Sequence, residues 1–438
     1  MICGTCHGLT LPACGRSVPG QATTLSFIHK AVGVTHIQKT ILAAGVAVSI
    51  AAAGYPVAGQ GAPLLPMPAP VLDHIPEAQA MDHQIVAGDD LSNIYFVFSG
   101  KRLLEKAQSG GSQVGRKGGA LIGYYYPNQR DMDRTHTLEW FNAHHPDWVT
   151  YACDRKTPSY GYTYGWGAYI PIDTTNPEVR SYLLATYFVP AARQGFRAIA
   201  LDNVAAFNSD HRCGVFRNGS WVQLYSGDAN DARYAADKMD YLRWVTSEMH
   251  SRGVSVAMNA KVDPKAPELT QRLVDLADIW IDEGAFLNGC KGVVTDALWD
   301  LRRRLVQSIG PDRAYDSINK SCAPSFAQAP AHDADYAVAS FLIVRTARSY
   351  LSLFGMAESG RRVQTPYVHQ DIGAPAGPAK TDGGVWWRPY ATGLAVVNPS
   401  STAAGTLTLP SGRWVLDGRQ VSSVLPVPPA TGFILHAG

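Results

Sequence analysis

Several apolar runs in this chain end in a carboxylate or an amide. Ala198-Ile199-Ala200-Leu201 leads into Asp202, and Ile279-Trp280-Ile281 leads into Asp282 and Glu283. Tyr315-Asp316-Ser317-Ile318 carries Asp316, and the run from Val254 closes on Asn259. If these runs are strands of a parallel barrel, their polar ends line the face where such barrels place their active sites. Two carboxyl groups facing each other across one bond can hydrolyse a glycosidic link. One donates a proton, and the other attacks or activates water. A single strand-end Asp has a plainer use as a helix cap or loop acceptor, but caps need not converge on one cavity. Strict alternation does not separate Asp282 from Glu283, because neighbours in a strand point to opposite faces. Glu283 lies nearer the loop and precedes Gly284, where the backbone can turn, so it is the expected partner of Asp202, with Asp282 the alternate.

Other residues suit sugar contacts. The segment Tyr160-Gly161-Tyr162-Thr163-Tyr164-Gly165-Trp166-Gly167-Ala168-Tyr169 interleaves rings with glycines. Aromatic faces pack on the apolar faces of sugars, and glycine lets them approach closely; Trp166 and Tyr169 are the candidates here. Tucking those rings onto a barrel rim would use the same pattern. Tyr124 and Tyr126 end another run, and Asp154, Asn203, Asn259 and Asp316 are further candidate hydroxyl partners. The 13 His form no HExxH, and no GxSxG elbow or P-loop occurs. The expectation is a hydrolase without metal or cofactor. A lyase or aldolase would call for a strand-end Lys; Lys261 and Lys320 are the near ones, and both are expected past their strands.

The elements that must position these groups alternate in type. Strand-like runs fall at 94–98, 120–126, 148–153, 198–202, 254–259, 279–283, 314–318 and 349–353, with helical patterns at 177–194, 232–251, 267–276, 296–308 and 333–345. Pro177 follows Asn176 at one helix start, and Gly195 and Gly253 stand where helices should stop. Eight strands with intervening helices predict an α/β fold, a (β/α)8 barrel over 86–379. The open doubly wound alternative lacks its glycine fingerprint after the first run. From Lys380 the texture changes to short β-type runs split by Gly, Pro and Ser, which predicts a small all-β, sandwich-like domain over 380–438.

Upstream, Lys39 precedes the apolar run 41–53, followed by small residues suited to signal-peptidase cleavage. The run is shorter than the roughly 20 residues of a membrane span. Residues 1–61 are therefore expected to be leader and signal peptide, with a Pro- and Ala-rich linker over 62–85 and no stable membrane insertion after cleavage. Cys3, Cys6 and Cys14 would be lost. Cys153, Cys213, Cys290 and Cys322 remain, an even number that in an exported chain predicts two disulfides in one of three pairings. Secretion, or a periplasmic or cell-surface location, follows. A formal net charge of +2 over 438 residues offers no field for nucleic acid.

The segment Gly195–Val204 resembles the fourth-strand motif of endo-α-1,4-polygalactosaminidase-like enzymes, and also hypothetical glycosyl hydrolase family 15. Asp278–Phe286 resembles their sixth-strand carboxylate segment, and Gly393–Pro399 their C-terminal β domain. The resemblance runs from about Ile94 to the C-terminus. It implies a TIM-barrel glycoside hydrolase with Asp202 as nucleophile and Glu283 as acid/base. The activity expected of that pair is hydrolysis of a polysaccharide or oligosaccharide with retention. A non-catalytic or transglycosylating glycan-binding barrel is the alternative, since the aromatic loop and the β domain would serve it equally well.

Overall fold

A computed structural model describes residues 72–81, 93–98, 120–358 and 372–438. The expected leader, and the linker up to residue 71, lie outside the described residues. No helix among those described is long and apolar enough to cross a membrane.

Eight parallel strands form one sheet in sequential order: β1 (Ala78–Met81), β2 (Ile94–Phe98), β3 (Ala120–Tyr126), β4 (Ala198–Val204), β5 (Ser255–Ala260), β6 (Ile279–Gly289), β7 (Ala314–Ser321) and β8 (Ser349–Phe354). The two edges meet where Glu77 bridges Leu351 in parallel, the Leu351 N–H donates to Pro76 O at 3.0 Å, and Ser352 Oγ donates to Ala78 O at 2.7 Å. This is the expected (β/α)8 barrel, nearly closed. Two positions differ from expectation. The first strand is Ala78–Met81, inside the stretch read as linker. The run at 148–153 is not a barrel strand: Thr150–Tyr151 pairs antiparallel with Gly214–Arg217, which pairs with Ser220–Gln223 in a small separate sheet. That sheet is assembled from the excursions after β3 and β4, at the mouth end of the barrel. It is tied by the Cys153–Cys213 disulfide.

Alternation along the strands sorts side chains into two cores. Ala198, Ala200, Ala257, Ile279, Ile281 and Ala314 fill the barrel interior. Ile199, Leu201, Val256, Met258, Trp280 and Tyr315 face the helical layer. Small residues dominate the inner row of β4, as the narrowing of a packed barrel demands.

The C-terminal unit is antiparallel. Its main sheet runs Lys380–Asp382, Val385–Pro389, Gly393–Asn398, Thr431–Ala437, Trp414–Leu416 and Arg419–Gln420, with Gly405–Thr408 and Val424–Val427 pairing beside it over a shared core of Val385, Leu394, Val396, Leu407 and Leu435. Helix Ala331–Val344 is buried on nearly every side. Such a helix must be covered on two faces: by the barrel, and by the C-terminal sheet, whose Gly432 lies so close that a Cβ there would stand 2.8 Å from Tyr336 Cα. No amphipathic stripe is needed on a helix so enclosed.

Candidate active site

The inner row decides which carboxylates reach the mouth. Ala198 and Ala200 face inward on β4, so Asp202, two residues on, keeps that side at the strand's end. On β6 the inward residues are Ile279 and Ile281, which brings Glu283 to the mouth and turns Asp282 to the helical layer. The inward row of β5 ends at Asn259. Its single Nδ2 donates to Asp202 Oδ1 at 2.9 Å and to Glu283 Oε2 at 3.1 Å. One amide nitrogen thus bridges both acids, and the two accepting oxygens are no farther apart than about 6 Å.

Both acid-bearing strands leave regular geometry here. On β4 the register slips between Leu201 and Val204, Asn203 adopts φ +53°, and its Nδ2 donates to Asp202 Oδ2 at 2.6 Å. A left-handed Asn is tolerable because its short polar side chain bonds locally. Asn128 Nδ2 holds the distorted backbone from behind, donating to Asp202 O at 2.7 Å and Asn203 O at 3.1 Å. Asn128 Oδ1 in turn accepts from the buried Lys238, whose Nζ also donates to Gln129 Oε1 at 2.9 Å. Burial drives that ammonium well below its ordinary range, and Arg212 and Arg130 add to the shift against the opposing Asp210. On β6 the chain bulges immediately after Glu283. Ile318 pairs with Glu283, but Lys320 pairs with Asn288. Gly284 makes the turn at φ +76°, with Asn288 Cγ only 2.7 Å from where its Cβ would lie. Asn319 Oδ1 accepts from the Phe286 and Leu287 N–H groups at 2.9 and 3.1 Å, closing the bulge.

Lys320 lies within β7, not past it, and its Nζ stands 3.0 Å from Glu283 Oε1. Partial burial pushes the Glu283 carboxyl up. The Lys320 ammonium and its hydrogen bond, the Asn259 amide and the Lys261 charge outweigh burial and hold the carboxyl below the ordinary glutamate value. Lys261 follows β5 and donates to Tyr162 OH at 2.6 Å.

The aromatic segment stands beside this pair. Tyr162, Tyr164 and Trp166 are 41%, 43% and 37% exposed, unusual for large rings. Tyr164 and Trp166 stack with centroids 5.2 Å apart and planes within 5°; Tyr169 meets Trp166 edge-on, and Arg134 lies 4.3 Å from the Trp166 ring centroid. Paired backbone bonds between Tyr164 and Gly167 close the tight hairpin that presents Trp166. The Tyr164 hydroxyl is raised by partial burial and, against Arg130, by the Asp202 charge, which puts this ring in electrostatic reach of the acid.

Other expected site residues lie elsewhere. Asp282 is buried against Arg302 Nε, at 3.2 and 3.0 Å from its two oxygens, and accepts from Tyr315 OH at 3.3 Å. Asp316 faces inward but one layer too deep: it is fully buried, and burial raises its carboxyl to about 8. Asp154 occupies an exposed turn, accepting from the Lys156 and Thr157 N–H groups and from Thr157 Oγ1, which lower it to about 2. Tyr126, shifted by a register slip after Tyr124, packs near Phe188 in the helix-facing core. The Tyr124 side chain lies outside the described residues. Asn128, Lys238 and the role of Lys320 were missed. The first two sit on a loop and on a helix, where no strand-end rule looks. Lys320 could have been found by extending the alternation Ala314, Asp316, Ile318 by one step. No group of three or more His, Cys, Asp or Glu suited to a metal occurs among the described residues. The four cysteines pair as Cys153–Cys213 and Cys290–Cys322.

Residues 135–297 match the sequence pattern of glycoside-hydrolase family GH114. Over this span the barrel is similar to glycoside hydrolases of family GH114. The matched span includes Asp202, Asn259 and Glu283 and stops short of Lys320. No curated protein matches the chain. Among solved structures, the type III pullulan hydrolase of Thermococcus kodakarensis is 14% identical, with 78% of this chain and 68% of that one covered at TM-score 0.41. The Arthrobacter globiformis cyclic α-maltosyl-(1→6)-maltose hydrolase is 12% identical, with 86% and 94% covered at 0.42. A GH27 β-L-arabinopyranosidase of Geobacillus stearothermophilus is 10% identical, with 86% and 97% covered at 0.43. The barrel itself is defined by its own strand order.

Proposed function

We propose that this chain is a GH114-type glycoside hydrolase, secreted and retaining, that acts on polysaccharides or oligosaccharides. The observation that carries the mechanism is the Asn259 bridge. Carboxyl groups about 5–5.5 Å apart suit retention, whereas inversion leaves room for water at about 6.5–9.5 Å. A limit of about 6 Å between bridged oxygens favours the first case. Asp202, oriented by Asn203 and Asn259, attacks the anomeric carbon as Glu283 gives its proton to the departing glycosidic oxygen. The C–O bond breaks and a glycosyl ester on Asp202 forms. Glu283, now a carboxylate, takes a proton from water. The hydroxide attacks the anomeric carbon, the ester bond breaks, and Asp202 is released with the sugar's original configuration restored. Two disulfides support an oxidising compartment and hence secretion. The domain limits follow the strands: a barrel from Ala78 to Phe354 and a β unit from Lys380.

The resemblance to polygalactosaminidase-like enzymes makes α-1,4-linked galactosamine polymers the first substrates to assay, followed by bacterial surface glycans. Proton NMR of the first-formed reducing end decides the stereochemistry. Retention is expected, and azide added to Asp202→Ala should yield a glycosyl azide of inverted configuration. An inverted first product from the wild type rejects the nucleophile assignment.

A further inference from the structure

The acid/base carries a feature that the two-carboxylate scheme does not need. An acid that protonates a leaving group must hold a proton, and glycosidase acids are usually raised toward neutrality by burial. Glu283 is instead gripped as an anion. Its Oε2 accepts from Asn259 on β5, and its Oε1 pairs with Lys320 on β7; its side chain is 46% exposed at the barrel mouth. The charged groups facing it are Lys320 from β7, Lys261 following β5, Asp202 from β4 through the shared amide, and its own neighbour Asp282 behind the strand. Lys320 is the nearest cation and the most firmly placed. Its backbone pairs with Asn288 and with Phe354 on either side, its ammonium lies 5.3 Å from the Phe354 ring centroid, and the Cys290–Cys322 disulfide clamps the strand ends two residues away.

Resting on the hydrolase reading above, we propose that Lys320 is the positioning residue of the acid/base. It holds Glu283 toward Asn259 and sets the pH range in which Glu283 can carry the proton it donates, so that turnover is favoured in acidic surroundings. Lys320 acts through Glu283 and takes no part in bond-making. Removing a cation at 3.0 Å from a carboxylate raises the carboxylate's proton affinity by about tenfold or more. An arginine at the same place leaves that affinity near its starting value, because the charge is kept.

The test is titration of Glu283 itself in the full chain. Carboxyl-labelled glutamate is followed by carbon-13 NMR, and the Glu283 signal is identified by its loss in Glu283→Gln. The Lys320→Met midpoint should lie about one pH unit or more above wild type, with Lys320→Arg close to wild type. On an α-1,4-galactosamine oligosaccharide, the alkaline limb of kcat/KM should move the same way, a shift that a merely structural role of Lys320 would not produce. Lys320→Gln replaces Met if the latter melts early. Equal midpoints in the wild type and the charge-free variant, or an Arg variant displaced as far as the Met one, overturn the proposal. If no glycan is cleaved, the hydrolase reading fails on its own, while the titration still decides whether Lys320 governs Glu283.

Discussion

At the mouth, Asp202 and Glu283 share the amide of Asn259 and remain in reach of water. Just behind and beneath, Asp282 and Asp316 are sealed from it. All four are carboxylates on neighbouring strands, yet position alone gives them different physics. Asp282 lies one residue from Glu283 and so faces the opposite side, where burial demands a partner and Arg302 supplies one. Asp316 lies on the inner side, one layer below the mouth. It accepts from Ser352 Oγ at 3.2 Å, and burial favours its neutral form. Exposure with shared donors leaves a carboxylate free to react; burial turns the same group into a structural element.

Exchanging the effects of these groups is the sharpest way to break that contrast. Glu283→Gln should lower kcat/KM on the order of 10²–10⁴-fold, and Asp202→Asn at least as much, with melting temperatures near wild type. Asp282→Ala should do the reverse. Leaving the Arg302 charge buried and unpaired should cost about 3–5 kcal/mol in urea unfolding, with activity per folded molecule retained. An Asp282 variant that unfolds normally but does not turn over would move the acid/base role to that residue.

Much of this contrast was legible in the sequence, and the illegible part has definite causes. The rank of Asp202 on the fourth strand and Glu283 on the sixth is right in the structure because two displacements cancel. Ala78–Met81 enters the barrel from a Pro-rich stretch that reads as linker, while the run at 148–153 leaves it for the small antiparallel sheet. A strand of four residues carries too little pattern to announce itself, and an apolar run does not reveal which sheet it joins. Between Asp282 and Glu283 the decision came from the inner row Ile279, Ile281, Glu283, whose facing is fixed only when register with β5 and β7 is known. Asp154 and Asp316 show the limit of the strand-end argument: a polar residue near the end of an apolar run can turn into a loop or stop one layer short. Bulges after Leu201 and Glu283 are tertiary, built by Asn128 and Asn319 from outside the strands concerned.

The buried layer makes a separate claim about pH. The Asp316 carboxyl is raised by burial from 3.8 to about 8 in the fold. Between those values the native chain holds a proton that the unfolded chain has released, so this group's contribution makes stability fall as pH rises from 4 toward 8. Below pH 4 both states are protonated, and above 8 both are ionised, so the dependence flattens at either end. Asp316→Asn removes the titration. The wild-type-minus-variant difference in unfolding free energy should slope downward through this window, by at most about 1.4 kcal/mol per pH unit and a few kcal/mol in all. Parallel stability curves for the two proteins would mean that Asp316 is ionised when buried, and the contrast with Asp202 would lose its basis.

The smallest expected effect concerns the rim, where exposure serves rings instead of carboxylates. Trp166 stacks on Tyr164 and lies under Arg134, yet remains 37% exposed. If the pair only tucked the hairpin onto the barrel, Trp166→Ala would cost stability and leave kinetics unchanged. If the rings receive a sugar unit next to the one held by Asp202 and Glu283, the loss falls on substrate length. An aromatic contact is worth about 0.5–1.5 kcal/mol beyond area, so KM should rise roughly 2- to 10-fold for a long oligosaccharide, with little change in kcat. A short substrate that spans only the catalytic pair should be almost indifferent. Tyr164→Phe separates ring from hydroxyl: it should retain the length dependence that Trp166→Ala loses. Equal KM ratios for long and short substrates would return the aromatic hairpin to a purely structural role.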